Sequence, residues 1–173
     1  YFLSIGRLTK QKNFDFLLNS FKKIFINNEK YKLVIIGEGE DRKKLQNIIN
    51  NSNLQKYVYL IGFKDNVFKY FRNAECFILS SLWEDPGWVL IEAIASNTIV
   101  LSSDCPSGPK EILDNQRGIL FKNNSELDFI KKFHYFKKLD KLEKKKIKLK
   151  SKIFIKRFTS LQHYKNLISI LNS

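Results

Sequence analysis

Methionine is missing from all 173 residues. A translated chain starts with it, so we expect a piece excised from a longer protein, opening in an apolar run at Tyr1. Cysteine is nearly missing too. Cys76 and Cys105 have no CxxC spacing and no histidine at ligand distance along the chain, which argues against a zinc site and a disulfide framework and fits a reducing compartment. The only histidines, His134 and His163, stand alone in helical contexts and read as structural. The three prolines and seven glycines form no linker that would divide the chain, and no internal repeat is visible. No stretch approaches the ~18–20 apolar residues of a membrane span, and no signal peptide opens the chain. The expected location is the cytoplasm, with peripheral attachment to the inner face of the membrane as an option.

What is abundant is positive charge. Lys and Arg number 31 against 17 acids, a net +14. Residues 131–157 hold thirteen Lys or Arg and two acids, Asp140 and Glu143, so +11 of the +14 lies there and +3 is left for the rest. That distribution does not indicate a nucleic-acid footprint over the whole domain. A patch this dense attracts anionic surfaces, phospholipid headgroups among them, although charge runs are usually solvated helix faces.

Apolar types make up 43% of the chain, an ordinary share for a folded domain. Short apolar runs alternate with helical patterns. The runs are Phe2–Gly6, Lys32–Gly37, Tyr57–Gly62, Glu75–Ser81, Thr98–Ser103 and Arg117–Phe121, and they read as strands buried on both faces. Helices are predicted over Asn13–Asn27, Asp41–Asn51, Asn66–Arg72, Pro86–Ala95 and Pro109–Leu113; in the first, Phe14, Leu17, Leu18, Phe21, Ile24 and Phe25 follow the spacing of one helical face. The alternation predicts an α/β, Rossmann-like parallel six-stranded sheet with helices on both faces over residues 1–125. Residues 126–173 read as a basic helical segment packing on the same domain, ending in a stripe of Phe154, Phe158, Leu161, Tyr164, Ile168 and Leu171.

In such a sheet, ligands bind beyond the carboxyl ends of the strands, so the post-strand loops are where chemistry is sought. The first strand runs into Gly6-Arg7-Leu8-Thr9-Lys10-Gln11-Lys12, and Arg7 with Lys12 can clamp a diphosphate, one as a planar fork and one as a point charge. Gly37-Glu38-Gly39 after the second strand resembles the dinucleotide fingerprint but fails it, because Arg42 stands at the third glycine position. It reads equally well as a tight turn near a ligand or as a plain strand–helix turn. Gly62-Phe63 after the third strand offers close backbone approach to the edge of a base. The fourth strand leads to Trp83-Glu84-Asp85-Pro86-Gly87-Trp88-Val89, with Glu92 beyond. Asp85 followed by Pro86 reads as an N-cap and a first helical residue, which would aim the N–H groups of Gly87, Trp88 and Val89 into the crevice as an anion site. Glu84 and Glu92 near such a site suit the acceptance of hydrogen bonds from sugar or ribose hydroxyls. They read equally as a surface acid and an ordinary helical glutamate.

Taken together, Gly6 to Lys12, the turn at 37–39, the Gly62 loop and the E-x7-E pair Glu84/Glu92 resemble the C-terminal half of a GT-B-fold retaining glycosyltransferase of family 4. The resemblance covers nearly the whole chain. It implies that Arg7 and Lys12 bind the donor diphosphate, that Glu84 contacts donor-sugar hydroxyls and that Glu92 contacts the nucleotide ribose. It implies a nucleoside diphosphate sugar as donor, UDP- before GDP-, no cofactor and no metal, and a saccharide or lipid-linked acceptor held by an N-terminal domain absent from this chain. Family members often have Gly-Phe-Gly where this chain has Asp85-Pro86-Gly87, so the donor sugar is not readable. The rival expectations are a UDP-sugar epimerase of the same architecture and a basic module that docks on membrane or nucleic acid. The failed glycine fingerprint speaks against an NAD-dependent enzyme.

Overall fold

The structure, a computed structural model, describes residues 1–25, 30–159 and 168. Six strands form one sheet: β1 (Phe2–Ile5), β2 (Leu33–Ile36), β3 (Val58–Leu60), β4 (Cys76–Leu79), β5 (Val100–Asp104) and β6 (Ile119–Lys122). Their order is β3-β2-β1-β4-β5-β6, and every neighbouring pair is parallel. The order reverses between β1 and β4, so the carboxyl ends of these two strands flank the switch-point crevice. This is the doubly wound arrangement that the alternating apolar runs predict.

The helices are α1 (Phe14–Phe25), α2 (Arg42–Asn51), α3 (Phe68–Asn73), α4 (Trp88–Ala95), α5 (Pro109–Leu113), α6 (Glu126–Lys138) and α7 (Lys141–Ile155). They divide between the faces because successive strand residues point to opposite sides. In β4, Cys76 and Ile78 face one core with α1, α2 and α6, whereas Phe77 and Leu79 face another with α3, α4 and α5. The first core is unusually aromatic. Phe133 of α6 sits 4.8 Å from Phe2 and 5.5 Å from Phe21, ring centre to ring centre, and Phe129 lies 5.2 Å from Phe121. Helix α6 therefore closes one face of the sheet, with Phe129, Phe133 and Phe136 fully buried.

Helix α7 begins on a capping box: Asp140 accepts from the Glu143 N–H and Glu143 accepts from the Asp140 N–H, each at 2.8 Å. It turns Ile155 into the second core. Two sequence expectations need correction. The stripe that starts at Phe154 does not continue as one helix, because α7 stops at Ile155, a single 3-10 turn covers Lys156–Phe158, and Thr159 is extended. Its members Leu161, Tyr164 and Leu171 lie outside the described residues. Helix α4 also does not start at Pro86: Gly87 is left-handed (φ 85°), so the helical run begins only at Trp88.

Candidate active site

The floor of the crevice is built from glycines at adjacent strand ends. The Gly6 N–H donates to the Ile36 carbonyl at 3.0 Å, and the Gly37 N–H donates to the Gly62 carbonyl at 3.0 Å. Gly37 has φ +142°, and a Cβ there would lie 1.9 Å from the Gly6 oxygen. At Gly39 a Cβ would lie 2.4 Å from the Leu8 oxygen. Both glycines of the Gly-Glu-Gly turn are thus required by backbone packing against the β1 loop, whatever they do for a ligand. The plain-turn reading of that motif already accounts for them. The turn is tied further by Arg42, which takes the place of the third glycine and pairs with Glu38 at 2.8 Å.

Lys12 and Glu84 meet across the switch point. Nζ of Lys12 lies 2.6 Å from Oε1 of Glu84, although the two residues are 72 positions apart. Lys12 gets there because a 3-10 turn at Lys10–Lys12 folds the β1 loop back, and its aliphatic stem packs on Gly6, where a Cβ would be 3.1 Å from it. Glu84 is 5% exposed. Its Oε1 also accepts from the Ser81 hydroxyl, and its N–H donates to the Pro106 carbonyl at 3.1 Å. Both side-chain contacts fall on Oε1, so Oε2 takes no hydrogen bond from the described residues. A surface acid is excluded as the reading of Glu84.

Around this pair the loops after β1, β4, β5 and β6 are cross-braced. Gln11 exchanges hydrogen bonds with the β4 loop, its amide reaching the Trp83 carbonyl at 3.0 Å and its carbonyl accepting the Leu82 N–H at 2.8 Å. The Ser80 hydroxyl donates to the Lys12 carbonyl at 2.8 Å, the Ser103 hydroxyl to the Ser81 carbonyl at 2.7 Å, and the Asn123 amide to the Leu82 carbonyl at 3.0 Å. Sequence reasoning did not single out Gln11, Ser81, Ser103 or Asn123. Only the position of Ser81 at a strand end could have suggested it. Cys105 sits beside Ser103 on the β5 loop, and burial pushes its thiol upward from the ordinary range.

Arg7 is exposed, and its guanidinium has no partner among the described residues. Gly87 is buried close to Glu84, its position for a Cβ lying 3.6 Å from the Glu84 Cβ. The N–H groups of Gly87, Trp88 and Val89 find no acceptor among the described residues, and the α4 first turn carries no acid. Asp85 is not the N-cap, since Gly87 holds that place. Glu92 consequently lies one turn into α4, on the face of Trp88. It is half-buried, and its carboxylate is unpartnered among the described residues. Phe63 and Trp88 are exposed, at 69% and 57%. No group of three or more His, Cys, Asp or Glu among the described residues is arranged to hold a metal ion. No described helix is long and apolar enough to cross a membrane.

The sequence and the fold have known counterparts. The family model for glycosyl transferases group 1 matches residues 1–153. An uncharacterized glycosyltransferase of Methanocaldococcus jannaschii is 48% identical over 112 residues, 65% of this chain and 28% of that protein. The N-acetylgalactosamine-N,N'-diacetylbacillosaminyl-diphospho-undecaprenol 4-alpha-N-acetylgalactosaminyltransferase of Campylobacter jejuni is 35% identical over 160 residues, 90% of this chain and 43% of that enzyme. Among solved structures, TarM of Staphylococcus aureus in a complex that includes UDP superposes with a TM-score of 0.88 at 23% identity, over 99% of this chain and 35% of that one. The chain spans less than half the length of these curated relatives. By the family match, which spans most of its length, the chain belongs to the glycosyl transferases group 1 family.

Proposed function

We propose that the chain is the donor-binding half of a retaining glycosyltransferase of family 4, acting in the cytoplasm in the assembly of a polysaccharide, lipopolysaccharide or other glycan. It binds a nucleoside diphosphate sugar, UDP- before GDP-, and passes the sugar to a hydroxyl of a saccharide or lipid-linked acceptor. The observation that carries the reading is the Lys12–Glu84 pair, buried at the switch point beside three open N–H groups. The UDP preference follows the nucleotide in the TarM complex, and the lipid-linked acceptor follows the Campylobacter enzyme.

The chemistry follows from what each group has left to offer. Lys12 commits one of its three protons to Glu84 and keeps two for diphosphate oxygens. Arg7 supplies an uncommitted fork, and the N–H groups at 87–89 add the positive end of α4. As the glycosidic bond lengthens, charge builds on the departing diphosphate, and these groups stabilise it more than they stabilise the bound donor. Oε2 of Glu84 is free to accept from a sugar hydroxyl, while Ser81 and Lys12 fix the carboxylate. Glu92 supplies an acceptor for ribose hydroxyls. Phe63 offers an exposed ring at the β3 end for the base. With two cations and a helix terminus to offset the diphosphate charge, transfer is expected to need no metal ion.

Isothermal calorimetry on the full-length enzyme tests the reading. A UDP- or GDP-sugar should bind in the micromolar range in chelator-treated buffer. No heat with any nucleotide sugar overturns it. An epimerase would instead convert the donor without an acceptor, and product analysis with and without acceptor separates the two. The isolated chain should bind donor without turnover.

A further inference from the structure

The outer face of α7 takes no part in the site or the core. Ile147, Ser151 and Ile155 point inward and are buried. Half a turn round the same helix, Leu142, Leu149 and Ile153 are each 59% exposed. Their spacing of seven and four residues places them in one strip along a helix of 15 residues, about 22 Å long. Lysines border the strip on both sides: Lys141, Lys145, Lys148 and Lys152 on one, Lys146 and Lys150 on the other. Lys141, Lys144, Lys145, Lys148 and Lys152 also line an open groove of about 560 Å³ against Leu149. None of these lysines forms an ion pair among the described residues. Glu143, the one acid of the helix, is held in the capping box.

We propose that this face of α7 docks flat on an anionic lipid bilayer. An aliphatic centre between cationic margins matches the cross-section of a membrane interface, where acyl chains take the centre and headgroup phosphates take the lysines. Nucleic acid satisfies the lysines but leaves the three aliphatic side chains in water, so the strip itself argues for lipid. The placement is also compatible with the site. Lys150 bonds the Gln116 side chain at 2.7 Å, and the groove reaches Asn97; both residues lie just before strands β6 and β5 begin. The strip therefore belongs to the sheet edge opposite the carboxyl ends, and docking leaves the crevice uncovered. The proposal does not depend on which sugar, if any, the crevice binds.

Sedimentation of the full-length enzyme with vesicles tests it. Vesicles of phosphatidylcholine with phosphatidylglycerol in equal parts should bind, phosphatidylcholine alone should bind far less, and added salt should weaken the difference. Each lysine near an anionic surface is worth about fivefold in partitioning, so K145Q/K148Q/K152Q should lose about a hundredfold. L142S/L149S/I153S, which keeps every charge, should lose about tenfold or more. Both variants change only surface residues of α7, and unchanged melting temperatures serve as the folding control. Equal binding to neutral and anionic vesicles, or no binding to either, overturns the proposal. Full vesicle binding by L142S/L149S/I153S also overturns it, leaving adsorption of charge alone. Duplex DNA that displaces the vesicles while the serine variant still binds DNA reassigns the face to nucleic acid.

Discussion

Lys12 has Glu84 as its partner inside the protein and, under the proposed function, a donor diphosphate as its second. Lys12→Met removes a cation from the crevice and leaves Glu84 charged, buried and answered only by Ser81. Breaking one side of a buried pair costs about 3–5 kcal/mol; some of Lys12 is exposed, so the lower end is expected, read by urea denaturation. Transfer by the full-length enzyme should fall by about 10²–10³. Arg7→Gln separates the two effects, because Arg7 is exposed and unpaired. It should lose a comparable factor in rate with an unchanged denaturation midpoint. At Gly37 the issue is purely steric. Gly37→Ala forces a Cβ into the Gly6 carbonyl at a left-handed φ, and a loss of at least ~2 kcal/mol in stability is expected by thermal melting, with or without ligand.

At the scale of elements, strands were legible and helix starts less so. Cys76–Leu79 and Leu33–Ile36 read as strands because a parallel strand is apolar on both faces, and each run is closed after four residues, by Glu75 and Ser80 in one case and Lys32 and Gly37 in the other. Asp-Pro is an ordinary helix opening, so the sequence alone puts the start of α4 too early, and only the backbone conformation of Gly87 shows that the chain is still turning there. The Lys12–Glu84 contact was not legible either. Two motifs were visible, but the strand order that joins them is a property of the sheet, not of either segment. Helix α6 makes a testable claim of its own. Its Phe133 contacts Phe2, Phe21 and Tyr31, so Phe133→Ala should cost about 3–5 kcal/mol in denaturant melts, despite lying in the basic segment. The capping box of α7 is a smaller contribution, and Asp140→Ala should cost about 1 kcal/mol.

Over the whole molecule, alkaline pH should weaken the fold. Cys76 is completely buried, and desolvation drives its thiol far above the ordinary range. In the unfolded chain the thiol loses its proton from about pH 8.5, while the folded chain retains it. Above that pH the folded state holds the extra proton, so stability falls as pH rises. Urea midpoints at pH 7 and pH 10 should show the decline, and Cys76→Ala should lower both midpoints but flatten the difference. Charge is also unevenly divided along the chain. The +11 of residues 131–157 is spread over α6, α7 and the 3-10 turn that follows, away from the Lys12–Glu84 pair at the crevice. The loops after β4 and β5 interlock. Gly108, at φ +108°, touches the Pro86 carbonyl so closely that a Cβ would lie 2.1 Å from it, and Glu84 hangs from Pro106 by its N–H. These two loops are cut to fit each other. A chimera that imports either one alone from a relative inherits a clash or a missing anchor, so the two segments can be transplanted only together.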